Sequence, residues 1–265
     1  MQAKKELSII MVNYNKYELT QRCIQSVREN ISEIRYEIIV VDNCSTNNSY
    51  SELQRLNKGY NDIRIIMTSK NLGFGYGNNK GVEISRHKNI LLLNPDVIVL
   101  EGAILKMLDR LLKDDSLGII GCKLLNEDRS LQYSCRRFMP LGKFIIARTP
   151  IKKIFKKRIV DSIDSEYLMK DYDHKIEKEV DWLMGSCLML RKSDFENVNG
   201  FSNDYFMYFE DVDLAYKLKK LGKKVLYYPE AMMIHLHEQE SVKKISKLSL
   251  IHLSSMIKFY KKFYQ

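Results

Sequence analysis

A doubly wound α/β fold on a mostly parallel sheet is what this sequence predicts, and three observations predict it. Short apolar runs recur at Leu7 to Val12, Glu37 to Val41, Ile63 to Met67 and Ile90 to Leu93. Segments of helical period separate these runs, the spacing of βαβ units. Polar residues gather just past the runs: Asn13 and Asn15, then Asp42 and Asn43, then Asn94 and Asp96. In such sheets ligands bind at the carboxyl ends of the strands. One edge therefore collects amides and carboxylates suited to a nucleotide or a sugar.

Each element follows from local pattern. Leu7 to Val12 reads as a buried strand. Asn15 with Glu18 three residues on reads as a capping box opening a helix with Leu19, Cys23 and Val27 inward. The second strand closes in the turn-rich Asp42-Asn43-Cys44-Ser45-Thr46-Asn47-Asn48. Leu53 and Leu56 mark a short helix, Ile63 to Met67 the third strand. A Gly-rich turn and a helix around Asn78 to Ser85 precede the fourth strand. A helix from about Gly102 to Lys113 and a strand from Leu117 to Lys123 come next. Ser130 to Lys178 shows no clear period and reads as a loop-rich insertion. Order returns at Val180 to Arg191. A helix opening near Glu210 carries Leu214, Leu218 and Leu221 and stops at Gly222, before a strand from Lys224 to Tyr228. Ile245, Leu248, Ile251, Met256, Phe259 and Phe263 give the tail an amphipathic helical spacing.

The chain of 265 residues is long enough for one large domain with a sizeable core, and its 45% hydrophobic and 29% charged content excludes disorder. The formal charge of +10 is unevenly placed. Six lysines and no acid lie between Ser241 and Gln265, and Lys152, Lys153, Lys156, Lys157 and Arg158 form a second knot. Such clusters suit anionic partners or are simply solvated surface. No nucleic-acid recognition motif accompanies them, so nucleic acid is not an expected partner. The five cysteines are scattered without metal-type spacing, as expected for reduced thiols in a cytoplasm. The first apolar run stops at Asn13, too early for a signal peptide, and no stretch reaches the ~20 apolar residues of a membrane span.

Three tempting motifs fail. Gly73-Phe74-Gly75-Tyr76-Gly77 lacks the third glycine of a dinucleotide fingerprint, no phosphate-binding GxxxxGK[ST] is present, and His237-Glu238-Gln239-Glu240-Ser241 lacks a second zinc-binding histidine.

Five segments, read in order, do carry a signal: Ser8-Ile9-Ile10-Met11-Val12-Asn13-Tyr14-Asn15, Val40-Val41-Asp42-Asn43-Cys44-Ser45, Asn71-Leu72-Gly73-Phe74-Gly75-Tyr76-Gly77-Asn78-Asn79, Leu92-Leu93-Asn94-Pro95-Asp96 and Tyr208-Phe209-Glu210-Asp211-Val212-Asp213-Leu214. Together they resemble family-two glycosyltransferases of the GT-A fold, especially the bacterial rhamnosyltransferase-like branch. The likeness runs from about residue 7 to 241. It implies a nucleotide-sugar-binding half at 1–97 and a metal, acceptor and catalytic half at 98–240 that forms a C-terminal acceptor-side region. The basic insertion near 139–178 interrupts the second half, and a basic amphipathic helix at 241–265 follows.

The resemblance also implies roles. Val12, Asn13, Asn15, Asp42, Asn71, Gly73, Gly77, Asn78 and Asn94 would line a site for a pyrimidine-nucleotide sugar, dTDP-rhamnose or a UDP-sugar. Asp42 would meet the base or ribose, although Asp-Asn-x-Ser is also good turn chemistry. Asp96, in the place of the family's DxD motif, and His235, with His237 as rival, would hold Mg²⁺ or Mn²⁺. Asn94 stands where that motif has its first acid, which lowers the charge around the cation. Asp211 would be the general base of an inverting displacement, with Glu210 orienting on the acceptor-binding side. Gly185 and Trp182 would shape the acceptor side, although an isolated Trp also suits a core. The acceptor would be a glycan or lipid-linked glycan precursor, met at the cytoplasmic face of an inner membrane that the basic tail contacts. A non-catalytic nucleotide- or carbohydrate-binding relative of such an enzyme is the alternative, and the missing acid at Asn94 supports it.

Overall fold

The computed structural model describes residues 5–148, 150–236 and 247–263. In chain order the first half runs β1 (Glu6–Asn13), α1 (Tyr17–Asn30), β2 (Arg35–Asp42), α2 (Ser49–Asn57), β3 (Ile63–Met67), α3 (Phe74–Glu83), β4 (Asn89–Leu93), β5 (Val97–Val99) and α4 (Ala103–Leu112). Then come β6 (Leu117–Leu125), β7 (Leu131–Gln132), β8 (Cys135–Arg136), α5 (Leu141–Arg148), a 3₁₀ turn (Pro150–Ile154), α6 (Lys157–Tyr167), β9 (Lys178–Val180) and β10 (Trp182–Leu183). The chain continues through β11 (Cys187–Arg191), α7 (Lys192–Asn197), α8 (Glu210–Lys220), β12 (Lys224–His235) and α9 (Lys247–Phe263).

The main sheet has the order β3-β2-β1-β4-β11-β6-β12-β5. Strands β3, β2, β1 and β4 pair in parallel, as βαβ connections require. Strand β11 enters antiparallel between β4 and β6, and β6 with β12 is parallel again. Period-two alternation sorts the side chains onto two faces. Ile10, Leu92 and Leu188 belong to one core with α8, α5 and α9. Ile9, Met11, Leu91 and Met189 belong to the other with α1 and α4. Met107, Leu108 and Leu111 of α4 are fully buried there, each contributing ~1.5–3 kcal/mol by leaving water.

Four local expectations change. The capping box does not form, because α1 starts after Lys16 without a side-chain cap and Asn15 turns elsewhere. The stretch expected to be loop-rich holds α5 and α6, and Met139, Phe144, Ala147 and Ile163 join the core. Helix α5 carries apolar residues on several sides and so shows no clear period, whereas α6 places Ile159, Val160, Ile163 and Tyr167 at helical spacing among basic and acidic residues and buries only Ile163. Leu221 is exposed, beyond the last turn of α8. Strand β12 runs on past Pro229 to His235 through an irregularity between Tyr228 and Met232. The sequence pattern predicts a strand only from Lys224 to Tyr228, and the proline that follows lacks a ladder N–H. That extension pairs His235 with Val97, next to Asp96.

Candidate active site

The carboxyl ends of β1 and β2 close on themselves. Asn13 lies opposite Asp42 in the parallel register, and its Nδ2 donates to Asp42 Oδ2 at 2.7 Å. Ser45 donates its backbone N–H to Asp42 Oδ1 at 2.8 Å and its hydroxyl to Oδ2 at 2.7 Å. Thr20 Oγ1 donates to Asn13 Oδ1 at 2.9 Å. Asp42 and Asn13 are both fully buried. The turn chemistry of Asp42 is thus what the fold uses, and its carboxylate does not open toward a ligand. Asn15 adopts a left-handed φ of 58° and accepts from the N–H groups of Thr46 (2.8 Å) and Asn47 (3.2 Å). It ties the loop after β2 to the end of β1 instead of capping α1.

The glycine loop is fixed from the same side. Asn43 Nδ2 donates to Asn71 Oδ1 at 2.9 Å and to the Gly73 carbonyl at 3.0 Å. Gly73 has φ +106°, and a Cβ there would sit 2.0 Å from the Phe206 carbonyl oxygen. Only glycine fits. Gly77 packs against Val12, whose Cγ1 would lie 2.7 Å from an added Cβ. Asn78 donates to the Phe74 carbonyl at 3.1 Å, while its buried Oδ1 has no hydrogen-bond partner.

The end of β4 is different. Asn94 accepts nothing at its buried Oδ1, while its N–H donates to the Ser186 carbonyl at 2.9 Å. Asp96 Oδ1 lies 3.3 Å from His235 Nε2, and His235 Nδ1 lies 2.6 Å from Gln132 Oε1. With Nδ1 donating to that amide oxygen, a neutral ring aims the Nε2 lone pair at a carboxylate. A proton or a cation between them relieves the repulsion. Burial works to raise the Asp96 carboxyl, but a proton placed on the facing His235 nitrogen outweighs it and holds the carboxyl below the usual range.

The start of α8 carries the second acidic group. Tyr208 and Phe209 both take left-handed conformations (φ 67° and 69°), a strained approach for bulky residues. They deliver Glu210 and Asp211. The backbone N–H groups of Gly185 (2.9 Å) and Val212 (2.8 Å) donate to the Asp211 carboxylate. A Cβ on Gly185 would stand 3.4 Å from that carboxylate, an ordinary van der Waals contact, so the approach itself does not demand glycine. Burial pushes the Asp211 carboxyl above the ordinary range against those donors and the nearby Arg136 charge. Glu210 is buried with Oε2 unpartnered, and burial followed by the Asp211 charge pushes its carboxyl up further. Asp213 is structural. It is fully buried between Lys217 (2.9 Å), Lys262 of α9 (2.7 Å) and the Tyr205 hydroxyl (3.3 Å).

Helix α9 grips this loop at further points. Ser255 donates to the Met207 carbonyl at 2.8 Å, Lys258 to the Asp204 carbonyl at 2.6 Å, and the His252 ring meets Tyr208 and Phe209 edge-on. Trp182 is buried, with Tyr167 and Arg136 against its ring and its N–H donated to the Arg137 carbonyl. It supports the wall of the site and does not offer a stacking face to a sugar.

Two routes join these groups into one neighbourhood. Asn94 meets Ser186, and the adjacent Gly185 holds Asp211. Asn43 holds Gly73, and Phe74 N–H donates to Phe206 at 3.1 Å, two residues before Tyr208.

A sequence model of glycosyl transferase family 2 matches residues 8–214, more than three quarters of the chain. The chain belongs to glycosyl transferase family 2. Within it, the chain is 29% identical to rhamnosyltransferase WbbL of Escherichia coli K12 over 95% of this chain and 91% of that protein. It is also 29% identical to the N-acetylglucosaminyl-diphospho-decaprenol L-rhamnosyltransferase of Mycobacterium tuberculosis, over 95% of this chain and 83% of that one. Among solved structures it is similar to GalNAc-T7 with UDP, GalNAc and Mn²⁺, with a TM-score of 0.71 and 14% identity over 98% of this chain. The chain spans about half (49%) of that structure. The mannosyltransferase PcManGT from Pyrobaculum calidifontis, in complex with GDP-Man and Mn²⁺, gives a TM-score of 0.63 with 14% identity, over 91% of this chain and 59% of that one. The fold is the GT-A arrangement that the motifs imply.

The family match holds Asp42, Asp96 and Asp211 but ends before His235 and α9. Sequence reasoning missed Gln132, which fixes His235, and Arg136, beside Asp211. Both sit in the aperiodic stretch, which gave no signal for either. His237, the rival of His235, lies outside the described residues. Among the described residues no three His, Cys, Asp or Glu side chains gather into a closed metal cage. Asp96 and His235 form an open pair, which suits a cation that shares its ligands with phosphate oxygens. A cavity of about 590 Å³ lies at the opposite sheet edge, among Arg28, Glu37, Asp62 and Arg64. Arg28 with Asp62 and Arg64 with Glu37 already pair within it.

Proposed function

We propose that this chain transfers a sugar from a nucleoside diphosphate donor to a hydroxyl of a cell-surface glycan precursor, inverting the anomeric centre. The observation that carries the reading is Asp211: a half-buried carboxylate with a raised pKa, aimed by two backbone donors, beside the unpartnered Glu210. A base poised this way suits proton removal from an alcohol, worth ~10²–10⁴ in rate. Asp211 takes the proton of the acceptor hydroxyl as its oxygen attacks the anomeric carbon, and the nucleoside diphosphate leaves from the opposite face. Glu210, held toward its neutral form, keeps a second negative charge away from the reacting oxygen.

The nucleotide lies along the ends of β1 and β2 and the loop of Asn71, Gly73, Gly77 and Asn78. Val12, Asn13, Asn15 and Asp42 hold that edge in shape, and Asn94 offers its free amide oxygen. Asp96 and His235 would hold Mg²⁺ or Mn²⁺, which would supply Lewis-acid stabilisation to the leaving diphosphate. The rhamnosyltransferase relatives support rhamnose as the sugar, and the donor is then dTDP-rhamnose, with a UDP-sugar next. The diphospho-decaprenol in one relative's name supports a lipid-linked acceptor, which the reaction would meet at the cytoplasmic face of a membrane. Among the described residues no helix is long and apolar enough to cross one.

A thermal-shift screen of UDP-, dTDP-, GDP- and CMP-sugars with Mn²⁺ tests the donor, because a bound ligand stabilises the fold in proportion to occupancy. Stabilisation by a thymidine or uridine donor, followed by sugar transfer to a lipid diphosphate acceptor, is expected. Binding without turnover would favour the non-catalytic reading that Asn94 raises. A response to none of the four would sink both.

A further inference from the structure

The sequence Ile151-Lys152-Lys153-Ile154-Phe155-Lys156-Lys157-Arg158-Ile159 joins α5 to α6, and all nine residues are exposed. Ile154 stands 82% exposed, with Ile151, Phe155 and Ile159 beside it. Bulky apolar side chains in water are costly unless something covers them. Between them stand five cations, and from Arg129 to Val160 the chain has no Asp or Glu. Among the described residues none of the five has an ion pair. Elsewhere lysines and arginines find partners, as Lys143 with Glu166 and Arg110 with Glu177 do.

Helix α9 adds to the same lobe, since Phe144 of α5 packs against His252 and Tyr260 of α9. Its inner residues Met256, Phe259 and Tyr260 are spent on the core. The amphipathic tail is therefore not a free anchor. A second stripe, Leu250, Leu253 and Ile257, faces outward beside Lys258 and Lys261.

We propose that the 151–159 segment, with the outer stripe of α9, is a docking surface for an anionic lipid bilayer. Charge complementarity selects this occupant. Apolar side chains interleaved with unpaired cations match an interface that offers acyl chains beneath anionic headgroups. A duplex or single strand of nucleic acid would use the cations and leave Ile154 uncovered. Each lysine or arginine near an anionic leaflet strengthens binding about fivefold (~1 kcal/mol). The lobe also carries Phe144 against Phe209, the residue before Glu210, so docking would hold the catalytic edge close to the headgroups. The purpose of the surface rests on the lipid-linked acceptor proposed above, and its location rests on these side chains.

Flotation of the full chain with phosphatidylglycerol vesicles and with phosphatidylcholine vesicles tests it. The wild type should float with the first and much less with the second. Changing Lys152, Lys153, Lys156 and Lys157 together to Gln should weaken binding by roughly 600-fold, about fivefold for each. Ile154→Ser with Phe155→Ser should weaken it about 10-fold or more, and the loss should persist at high salt. Melting temperatures and the response to nucleotide with Mn²⁺ should match wild type in both variants. Truncation before α9 is not a fair test, because it removes core residues. Equal flotation with both lipids, or variants that bind as wild type does, overturns the proposal. So does capture by a mixed-sequence oligonucleotide that displaces the vesicles and ignores the Ile154 and Phe155 changes. Sugar transfer to a soluble acceptor without vesicle binding sinks the docking surface and spares the reaction. Vesicle binding without transfer does the reverse.

Discussion

The two halves of the sheet edge treat their polar residues in opposite ways. At the ends of β1 and β2, Asn13, Thr20, Asp42 and Ser45 satisfy one another in a closed network. At the end of β4 and the start of α8, Asn94 Oδ1, Ser186 Oγ and Glu210 Oε2 are buried without partners. A satisfied buried network rigidifies its surroundings. An unsatisfied buried group costs ~1–3 kcal/mol and persists where something else holds it in place. Here α9 and the Gly185 segment do the holding. The first half is a fixed shelf, and the second keeps chemical potential in reserve.

The contrast can be broken most directly at Asp211. Asp211→Asn should lower kcat by ~10²–10⁴ with melting temperature near wild type. A variant as fast as wild type would move the proton acceptor elsewhere. Asp42→Ala should act on stability instead. It removes three hydrogen bonds to a buried carboxylate, so chemical denaturation should register a loss of about 3 kcal/mol or more. Lost donor affinity at unchanged stability would reverse the assignment of the two halves.

Gln132→Ala frees the His235 ring. The divalent cation needed for half-maximal activity should then rise ~10–100-fold, as for other outer partners of metal-binding histidines. An unchanged requirement would take His235 out of the site. The pH profile sharpens the comparison further. Because burial raises the Asp211 carboxyl, the base is lost by protonation as pH falls through that raised value. The acidic limb of kcat should lie well above the ~4 of an ordinary carboxylate. A limb at about 4 would mean that the reacting group is an exposed acid. Lys262→Met, which cuts one tie from α9 to Asp213, should have the smallest effect, a few-fold fall in kcat with donor KM unchanged. A change in KM alone would tie α9 to the donor shelf.

The sequence by itself determined the parallel core and its motif segments. Strands covered on both faces carry near-continuous apolar runs, and Ile63–Met67 appears in the structure as read. The positions of Asp96, Asp211 and the glycine loop were legible through the five motif segments that resemble the family. Tertiary structure alone decided which carboxylates stay open. Asp42 and Asp211 look equally eligible in the sequence. One is closed by Asn13, 29 residues away, and the other is aimed by Gly185, 26 residues away. Gln132 reaches His235 across 103 residues, at the end of a strand whose sequence pattern stops at Tyr228. Of the tail read as helical over 241–265, residues 241–246 and 264–265 lie outside the described residues and Lys247–Phe263 form α9, but the spacing does not reveal that Met256 and Phe259 serve the core while Leu250 faces outward. Local periodicity reports how a segment can fold. Burial and hydrogen-bond closure are set by residues far along the chain, and they exist only once the chain has packed.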